Sequence, residues 1–379
     1  MTLSALESFK KTCTKHLIID NTDYIDIIFG AIFANRLDSK PVWLYIVGPP
    51  GAGKTEIVQS LEGHPKVISR STLTRNALIS GFKLKEGQDS SLIPMLDGKT
   101  LLVKDFTTML NMRREDLHEI LGILRDAYDG RCCKSFGTGE TKYYQSKFGV
   151  IAAVTDAIDR HRSLLSDLGE RFITYRMPSI TEHEKARRSL CAMSSESTDL
   201  QETELRIAAE KVLNQEVPPA TMTKAQMKSI IRIAQIAARA RTTVNRDRFT
   251  KEPDIPRPEV ATRLSKQLGD LATGMAMAHG LRKVTSKQVI MAQHVALHCI
   301  TLKRYELFRF MLQHDPEFLT INDISEAMGF SYKSVQYWME DLLLLRLVER
   351  RKICHGQYDE YRWRLFDGPL LKKVFLCQF

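Results

Sequence analysis

One stretch constrains this chain more than any other: Val42-Trp43-Leu44-Tyr45-Ile46-Val47, followed at once by Gly48, Pro49, Pro50, Gly51, Ala52, Gly53, Lys54 and Thr55. The first part is a continuous apolar run rich in β-branched and aromatic residues, the pattern of a parallel strand buried on both faces. The second part fits G-x-x-x-x-G-K-[ST]. Its glycines let backbone N–H groups close around phosphates, Lys54 reaches the β/γ-phosphates and Thr55 holds Mg²⁺. A helix beginning near Lys54 adds its positive dipole end. Strand, glycine loop and helix in this order predict a nucleotide-binding α/β fold.

Further apolar runs, Leu101-Leu102-Val103 and Gly149 to Val154, read as two more buried strands, with helical stretches such as Glu115–Tyr128 between them. That alternation predicts a parallel sheet. After Pro178 the pattern becomes helical over 181–214, 222–244 and 258–279, with prolines at 218, 219, 253, 256 and 258 marking connections. The segment before Pro41 reads as helical too, with Tyr24, Ile27, Ile28, Ala31 and Ile32 at helical spacing.

A second acidic element is expected at the end of an apolar strand, with one carboxylate for the metal and one to activate water. This chain offers Leu101-Leu102-Val103-Lys104-Asp105-Phe106-Thr107. In one register Asp105 is the metal-side carboxylate and Phe106 replaces the base; in the other Lys104 takes the metal position and Asp105 is the base. An ammonium about 4 Å from Mg²⁺ costs on the order of 8 kcal/mol at an effective dielectric near 20. Lys104 therefore either points away or substitutes for part of the metal's charge, and slow hydrolysis is one expectation.

Composition narrows the setting. Seven cysteines are scattered with no CxxC pair, which argues against a disulfide framework or zinc ribbon. No apolar run approaches the roughly 20 residues of a membrane-spanning helix, and the N-terminus lacks a secretion-signal pattern. A cytoplasmic protein with no membrane partner is expected. The net charge of +10 raises the prospect of a polyanionic partner. It is concentrated: residues 221–304 hold 16 Lys or Arg against 5 Asp or Glu, whereas 305–379 hold 10 against 11.

These motifs resemble the AAA+ ATPases, and within them the branch containing the MCM replicative helicases, over roughly residues 40–300. Gly48–Thr55 corresponds to Walker A, which implies ATP and Mg²⁺ as ligands, with Thr55 and Asp105 on the metal. Ala153-Val154-Thr155-Asp156 is similar to sensor 1, so that Thr155 or Asp156 would orient the attacking water. Residues 164–172, ending Gly169-Glu170-Arg171-Phe172, resemble the arginine-finger segment. The resemblance implies that Arg171 reaches a neighbouring subunit's site and steadies charge on the γ-phosphate. It thereby implies a ring or spiral homo-oligomer, with a hexamer expected. Residues 261–279 resemble the lid helix of sensor 2, with Arg263 in the arginine position. The sequence departs from the branch in its altered acidic pair and in lacking the large N-terminal tier.

Residues 129–148, DGRCCKSFGTGETKYYQSKF, carry two polar strands flanking a Gly-Thr-Gly-Glu turn, a hairpin signal. They sit where the MCM branch carries its DNA-contacting pore hairpin. Arg131, Lys134, Lys142 and Lys147 are the candidate phosphate contacts; a solvated hairpin with ordinary charges is the alternative. Residues 79–95 occupy the place of that branch's helix-2 insertion, with 83–87 expected as a mobile loop.

The tail resembles a winged helix-turn-helix. Thr320 or Asn322 caps a short helix that stops at Gly329, Ser331 caps the next, and two strands follow. In a DNA-binding version Tyr332, Lys333, Gln336 and Tyr337 face the major groove, and Arg350, Arg351, Lys352 and Arg362 lie on the wing. Use of this module for protein contacts is the alternative.

The expected architecture is thus α/β: a three-layer P-loop AAA+ core at 39–180, preceded by a helical segment (1–38) and followed by a helical lid (181–302) and a winged helix (303–379). The expected function is an ATP-driven DNA translocase or helicase; the alternative is a nucleotide-gated DNA-binding switch with weak or no hydrolysis.

Overall fold

The computed structural model describes residues 4–376 except 20, 83–88, 138, 162–164, 166–168, 179–180, 195–197 and 356–357. The expected loop at 83–87 and part of the 164–172 segment therefore lie outside the described residues. By packing, the chain divides into two units: residues 1–223 with 269–291, and residues 224–268 with 292–379.

The first unit is built on a five-stranded parallel sheet of order β2-β3-β6-β1-β7, from β1 (Trp43–Val47), β2 (Val67–Arg70), β3 (Thr100–Val103), β6 (Gly149–Val154) and β7 (Phe172–Arg176). Every residue of β1, β3, β6 and β7 is buried, so these strands have no polar side to show the alternation of a half-exposed sheet. Helices flank the sheet. On one face Trp43, Tyr45, Leu101, Val103, Val150 and Phe172 form a core with Leu117, Ile120 and Leu124 of α7 (Arg114–Tyr128). On the other lies α2 (Asp23–Ala34), apolar nearly all round and buried from Tyr24 to Ala34. The Trp43 indole closes the first core by donating to the Phe148 carbonyl at 2.8 Å.

Strands β2 and β7 are not among the strands expected from the sequence, although Phe172-Ile173-Thr174-Tyr175 of β7 is a run of strand-forming residues. Both are edge strands of the sheet, and β2 has only one buried residue, so its register is set by pairing with β3 rather than by its own pattern.

Around this sheet run α1 (Ala5–His16), α3 (Lys54–Ser60), α4 (Arg75–Leu78), α5 (Leu92–Met95), α6 (Phe106–Leu110), a 3₁₀ turn at Asp156–His161, α8 (Glu182–Ser194) and α9 (Thr198–Leu213). The expected continuous helix over 181–214 is described as these last two helices. Part of α11 (Thr262–Ala278) belongs here as well. Its Gly274 meets α2 so closely that a Cβ would stand 2.1 Å from the Gly30 carbonyl oxygen. The helix starts four residues later than its periodicity suggests.

The hairpin between α7 and β6 forms as expected. Strands β4 (Arg131–Ser135) and β5 (Thr141–Gln145) pair antiparallel with Cys132 opposite Tyr144 and Lys134 opposite Lys142; Thr138 at its tip lies outside the described residues.

The second unit contains α10 (Lys224–Ala240), the end of α12 (Ser286–His298), α13 (Leu302–Gln313), α14 (Ile321–Met328), α15 (Tyr332–Leu344) and α16 (Gly368–Leu376), with an antiparallel sheet of order β8-β10-β9. These strands are β8 (Leu319–Thr320), β9 (Val348–His355) and β10 (Tyr358–Leu365). Thr320 and Asp323 form a reciprocal capping box on α14, Gly329 ends it at φ +69°, and Ser331 caps α15. Phe308, Ile324, Val335, Met339, Leu342 and Trp363 form the buried centre. Among the described residues no helix is long and apolar enough to cross a membrane.

Candidate nucleotide site

Because the strands are parallel, their C-terminal ends share one edge of the sheet. Val47 pairs with Val154 and with Arg176, and Val103 with Ala152. The residues that follow these strands are thereby gathered: Gly48–Lys54 after β1, Lys104 and Asp105 after β3, Thr155 and Asp156 after β6. The chain leaves β1 toward one side of the sheet and returns on the other as β7, and ligands bind α/β sheets at such a switch point.

Gly51 and Gly53 adopt φ of +73° and +82°, the left-handed region that a Cβ makes unfavourable. A Cβ at Gly51 would touch nothing within 4 Å, so the loop is open on that side. Lys54, only 8% exposed, donates to the carbonyls of Gly48 at 2.6 Å and Pro49 at 2.7 Å. Burial lowers its pKa, partly opposed by Asp156, Asp105 and Glu56. Ala52 is buried; Pro50 and Thr55 are exposed. Beside the loop opens a cavity of about 630 Å³, lined by Gly51, Gly53, Glu56, Gln59, Arg188 and Leu205 among others. Its volume suits a small-molecule ligand. A glycine loop with two left-handed residues and a buried ammonium is a donor set matched to phosphate oxygens.

Lys104 is turned toward the segment between α3 and β2. Its ammonium pairs with Glu62 at 2.8 Å, and Glu62 also accepts from Ser69 at 2.7 Å. Asp105 caps α6, accepting from the Thr107 N–H at 2.9 Å and the Thr108 hydroxyl at 2.7 Å. Burial alone would raise its pKa, but these hydrogen bonds bring it below the ordinary value. Thr107 in turn donates to the Thr155 hydroxyl at 3.3 Å and accepts from the Thr155 N–H at 3.0 Å. Asp105 and Thr155 are thus tied together through one residue, Thr107, by its backbone N–H to the carboxylate and its hydroxyl to Thr155. Phe106 is 1% exposed, packed 5.0 Å from Tyr45, so no second carboxylate follows Asp105.

Sequence reading missed Arg176 and Arg188. Arg176, the last residue of β7, donates to Asp159 at 2.8 Å and lies 3.8 Å from Asp156. Arg188 on α8 donates to the Gly51 carbonyl at 2.7 Å and to Glu184 at 2.8 Å. The i,i+4 spacing of Glu184 and Arg188 was the visible signal, but that spacing marks a surface pair as readily as a site.

Arg171 precedes β7, whose first residue Phe172 pairs with Trp43. It therefore lies at the end of the sheet opposite the glycine loop, a strand's length of roughly 15 Å away. There it bonds Asp129 at 3.1 Å, with its guanidinium 5.6 Å from the Tyr128 ring centroid. Arg263 belongs to the second unit, half-buried in the first turn of α11.

Of the hairpin cations, Lys134 bonds Glu119 at 2.9 Å, and Glu119 also holds Arg75 at 2.8 Å. Lys142 bonds Asp89 at 3.0 Å, Tyr144 bonds the same carboxylate, and Lys147 donates to the Leu37 carbonyl. Arg131 is exposed on the opposite face of the hairpin, which also carries Tyr143, 76% exposed. In the second unit Lys333 is exposed, Gln336 donates to Glu340 at 2.9 Å, and Arg351 stacks 4.2 Å from the Phe318 ring. Tyr337 carries Arg246 over its ring at 4.5 Å, and Arg246 also bonds Asp341 at 2.7 Å.

A search of the sequence against protein-family models and against curated proteins returns no match to either.

Proposed function

We propose that this chain is an ATP-binding AAA+ protein similar to the MCM branch, acting as an oligomeric ATP-driven DNA translocase or helicase. The observation that carries the reading is the glycine loop between β1 and α3, with Gly51 and Gly53 left-handed and the carboxylate and hydroxyl of Asp105 and Thr155 on the same sheet edge.

In this reading Lys54 exchanges its two carbonyl partners for β- and γ-phosphate oxygens. Thr55 and Asp105 hold Mg²⁺, which supplies neutralisation of phosphate charge. Thr155, set by Thr107, or Asp156 orients the attacking water. Arg171 lies too far from its own glycine loop to serve it, which supports a role in a neighbouring copy's site and hence a ring or spiral assembly. Arg263 serves as the lid arginine. DNA phosphates meet the hairpin chiefly at the exposed Arg131, with Lys134, Lys142 and Lys147, already paired within the chain, as secondary contacts. They also meet Lys333, Gln336 and Arg351 of a winged-helix tail; the helix–strand–helix–helix–strand–strand order of 302–365 supports that module.

A second reading, a nucleotide-gated DNA-binding switch with little hydrolysis, is favoured by the core packing of Phe106 where a second carboxylate is expected. Steady-state ATP hydrolysis with and without single-stranded and duplex DNA separates the two. Turnover that DNA stimulates and that Lys54→Ala and Arg171→Ala both abolish supports the motor. ATP binding lost in Lys54→Ala, without turnover in the native chain, supports the switch.

A further inference from the structure

Two buried donors beside the glycine loop have no acceptor among the described residues: Oη of Tyr24, on α2, and Nε of Arg188, on α8. Tyr24 is 1% exposed, and burial pushes its phenol well above the ordinary range, so the hydroxyl stays protonated. Buried N–H and O–H groups almost always find a partner, an ordered water or a ligand where the protein offers none. The two side chains come from different helices, and the Tyr24 hydroxyl and the Arg188 guanidinium both approach Gly53, the latter through the nitrogen that donates to Gly51. A Cβ on Gly53 would lie 3.8 Å from Tyr24 Oη and 4.0 Å from Arg188 Nη1. The other guanidinium nitrogens are held by a carbonyl, Gly51, and a carboxylate, Glu184. A planar fork facing two separate oxygens at a cavity rim is matched better by the oxygens of one phosphate.

We propose that Arg188 is a phosphate-contacting residue of the nucleotide site, and that the Tyr24 hydroxyl is a second donor to the same ligand at Gly53. The inference rests on the nucleotide-binding reading above. Its occupant is the phosphate chain rather than the base, because both donors converge on a glycine of the loop. Glu184 then acts as a rival: its carboxylate holds the guanidinium in the ligand-free position, and ligand must displace it.

The test is equilibrium binding to the full chain of Mg·ATPγS, Mg·ADP and, by competition, inorganic tripolyphosphate, for the native protein, Lys54→Ala, Arg188→Ala, Arg188→Lys, Tyr24→Phe and Glu184→Gln. Arg188→Ala is expected to weaken ATPγS and tripolyphosphate about ten- to a hundredfold, with Arg188→Lys recovering only part of it. Tyr24→Phe is expected to weaken both about three- to tenfold. Glu184→Gln is expected to bind more tightly, by about three- to tenfold, because the rival anion is gone. An ion pair that merely held α8 in place would give the opposite sign in Glu184→Gln. Native affinity in Arg188→Ala, or weakening in Glu184→Gln parallel to that in Arg188→Ala, overturns the proposal. Loss of ATPγS but not of tripolyphosphate moves Arg188 to the ribose or base and also overturns it. Should Arg188→Ala fail to fold, Arg188→Lys and Glu184→Gln carry the test. A native chain that takes up no nucleotide, or a Lys54→Ala variant that binds as well as it, sinks the nucleotide reading itself and this proposal with it.

Discussion

The ammonium of Lys104 lies 2.8 Å from the carboxylate of Glu62, while its neighbour Asp105 turns its own carboxylate to Thr107 and Thr108. If Asp105 holds Mg²⁺ as proposed, this pairing occupies the neighbouring cation that would otherwise oppose the metal. If the pairing were undone, the freed ammonium would supply charge that Mg²⁺ otherwise provides. Nucleotide binding by the native chain is expected to fall about tenfold or more in EDTA, and by Glu62→Gln only about threefold. Fluorescent-nucleotide titrations with Mg²⁺ and with EDTA measure this. An equal loss in both proteins would mean that Lys104, once freed, does not reach the phosphates.

Asp26 is fully buried on α2, with Lys10 at 2.5 Å and His279 at 2.5 Å. Burial alone would raise its pKa, but His279 and Lys10 outweigh it and hold the carboxyl below the ordinary aspartate value. A depressed folded pKa contributes stability that is fully present above the unfolded value of about 4 and is lost as pH falls through the folded value. Asp26→Asn is expected to lose about 3 kcal/mol at pH 7, because Lys10 and His279 lose the buried carboxylate and keep only the more exposed Glu7. The gap from the native protein should narrow below about pH 4. Urea unfolding at pH 7 and near pH 3 tests this; a gap that does not change with pH would exclude the ion pair as its source.

Gly274 gives α2 and α11 their close approach. A methyl group there would stand 2.1 Å from the Gly30 oxygen and 2.6 Å from the Ala34 nitrogen, both backbone atoms that cannot rotate aside. Gly274→Ala is expected to destabilise the first unit by about 3 kcal/mol despite the better helix propensity of alanine. Thermal unfolding measures it, and an unchanged or raised Tm would show that the helices separate without loss.

The hairpin lysines are not equivalent to Arg131. Lys134 and Lys142 are committed to Glu119 and Asp89, whereas Arg131 is exposed on the other face beside Tyr143. If the hairpin holds DNA, Arg131→Ala should lower the slope of log affinity against log salt by about one. Lys142→Ala should act instead through Asp89, raising amide exchange across 131–145 with a smaller change in salt slope. Anisotropy titrations of labelled single-stranded DNA at several salt concentrations, with hydrogen exchange, separate the two. A larger salt-slope change in Lys142→Ala would reverse the assignment of the hairpin's faces.

Local chemistry made much of this protein legible. Strand β1 and the loop after it were readable because a doubly buried strand needs an unbroken apolar run and a phosphate loop needs glycines at fixed spacing. The hairpin at 131–145 and the caps of α14 and α15 were readable for the same kind of reason: turn and cap residues act on backbone within a few positions of themselves.

What the sequence could not determine depends on which distant groups meet. Nothing local distinguishes a surface lysine from Lys104, whose direction is fixed by Glu62, 42 positions earlier. Strand β2, with one buried residue, depends on the edge that β3 offers it. Arg188 reads as half of an ordinary helical ion pair until folding brings Gly51 to it across 137 positions. Strand β1 and the glycine loop after it were legible in the residues alone, whereas Arg176 and Arg188 beside them were not. The tertiary structure alone decided which charges pair, since Coulomb and hydrogen-bond terms depend on distance in space and only folding sets that distance.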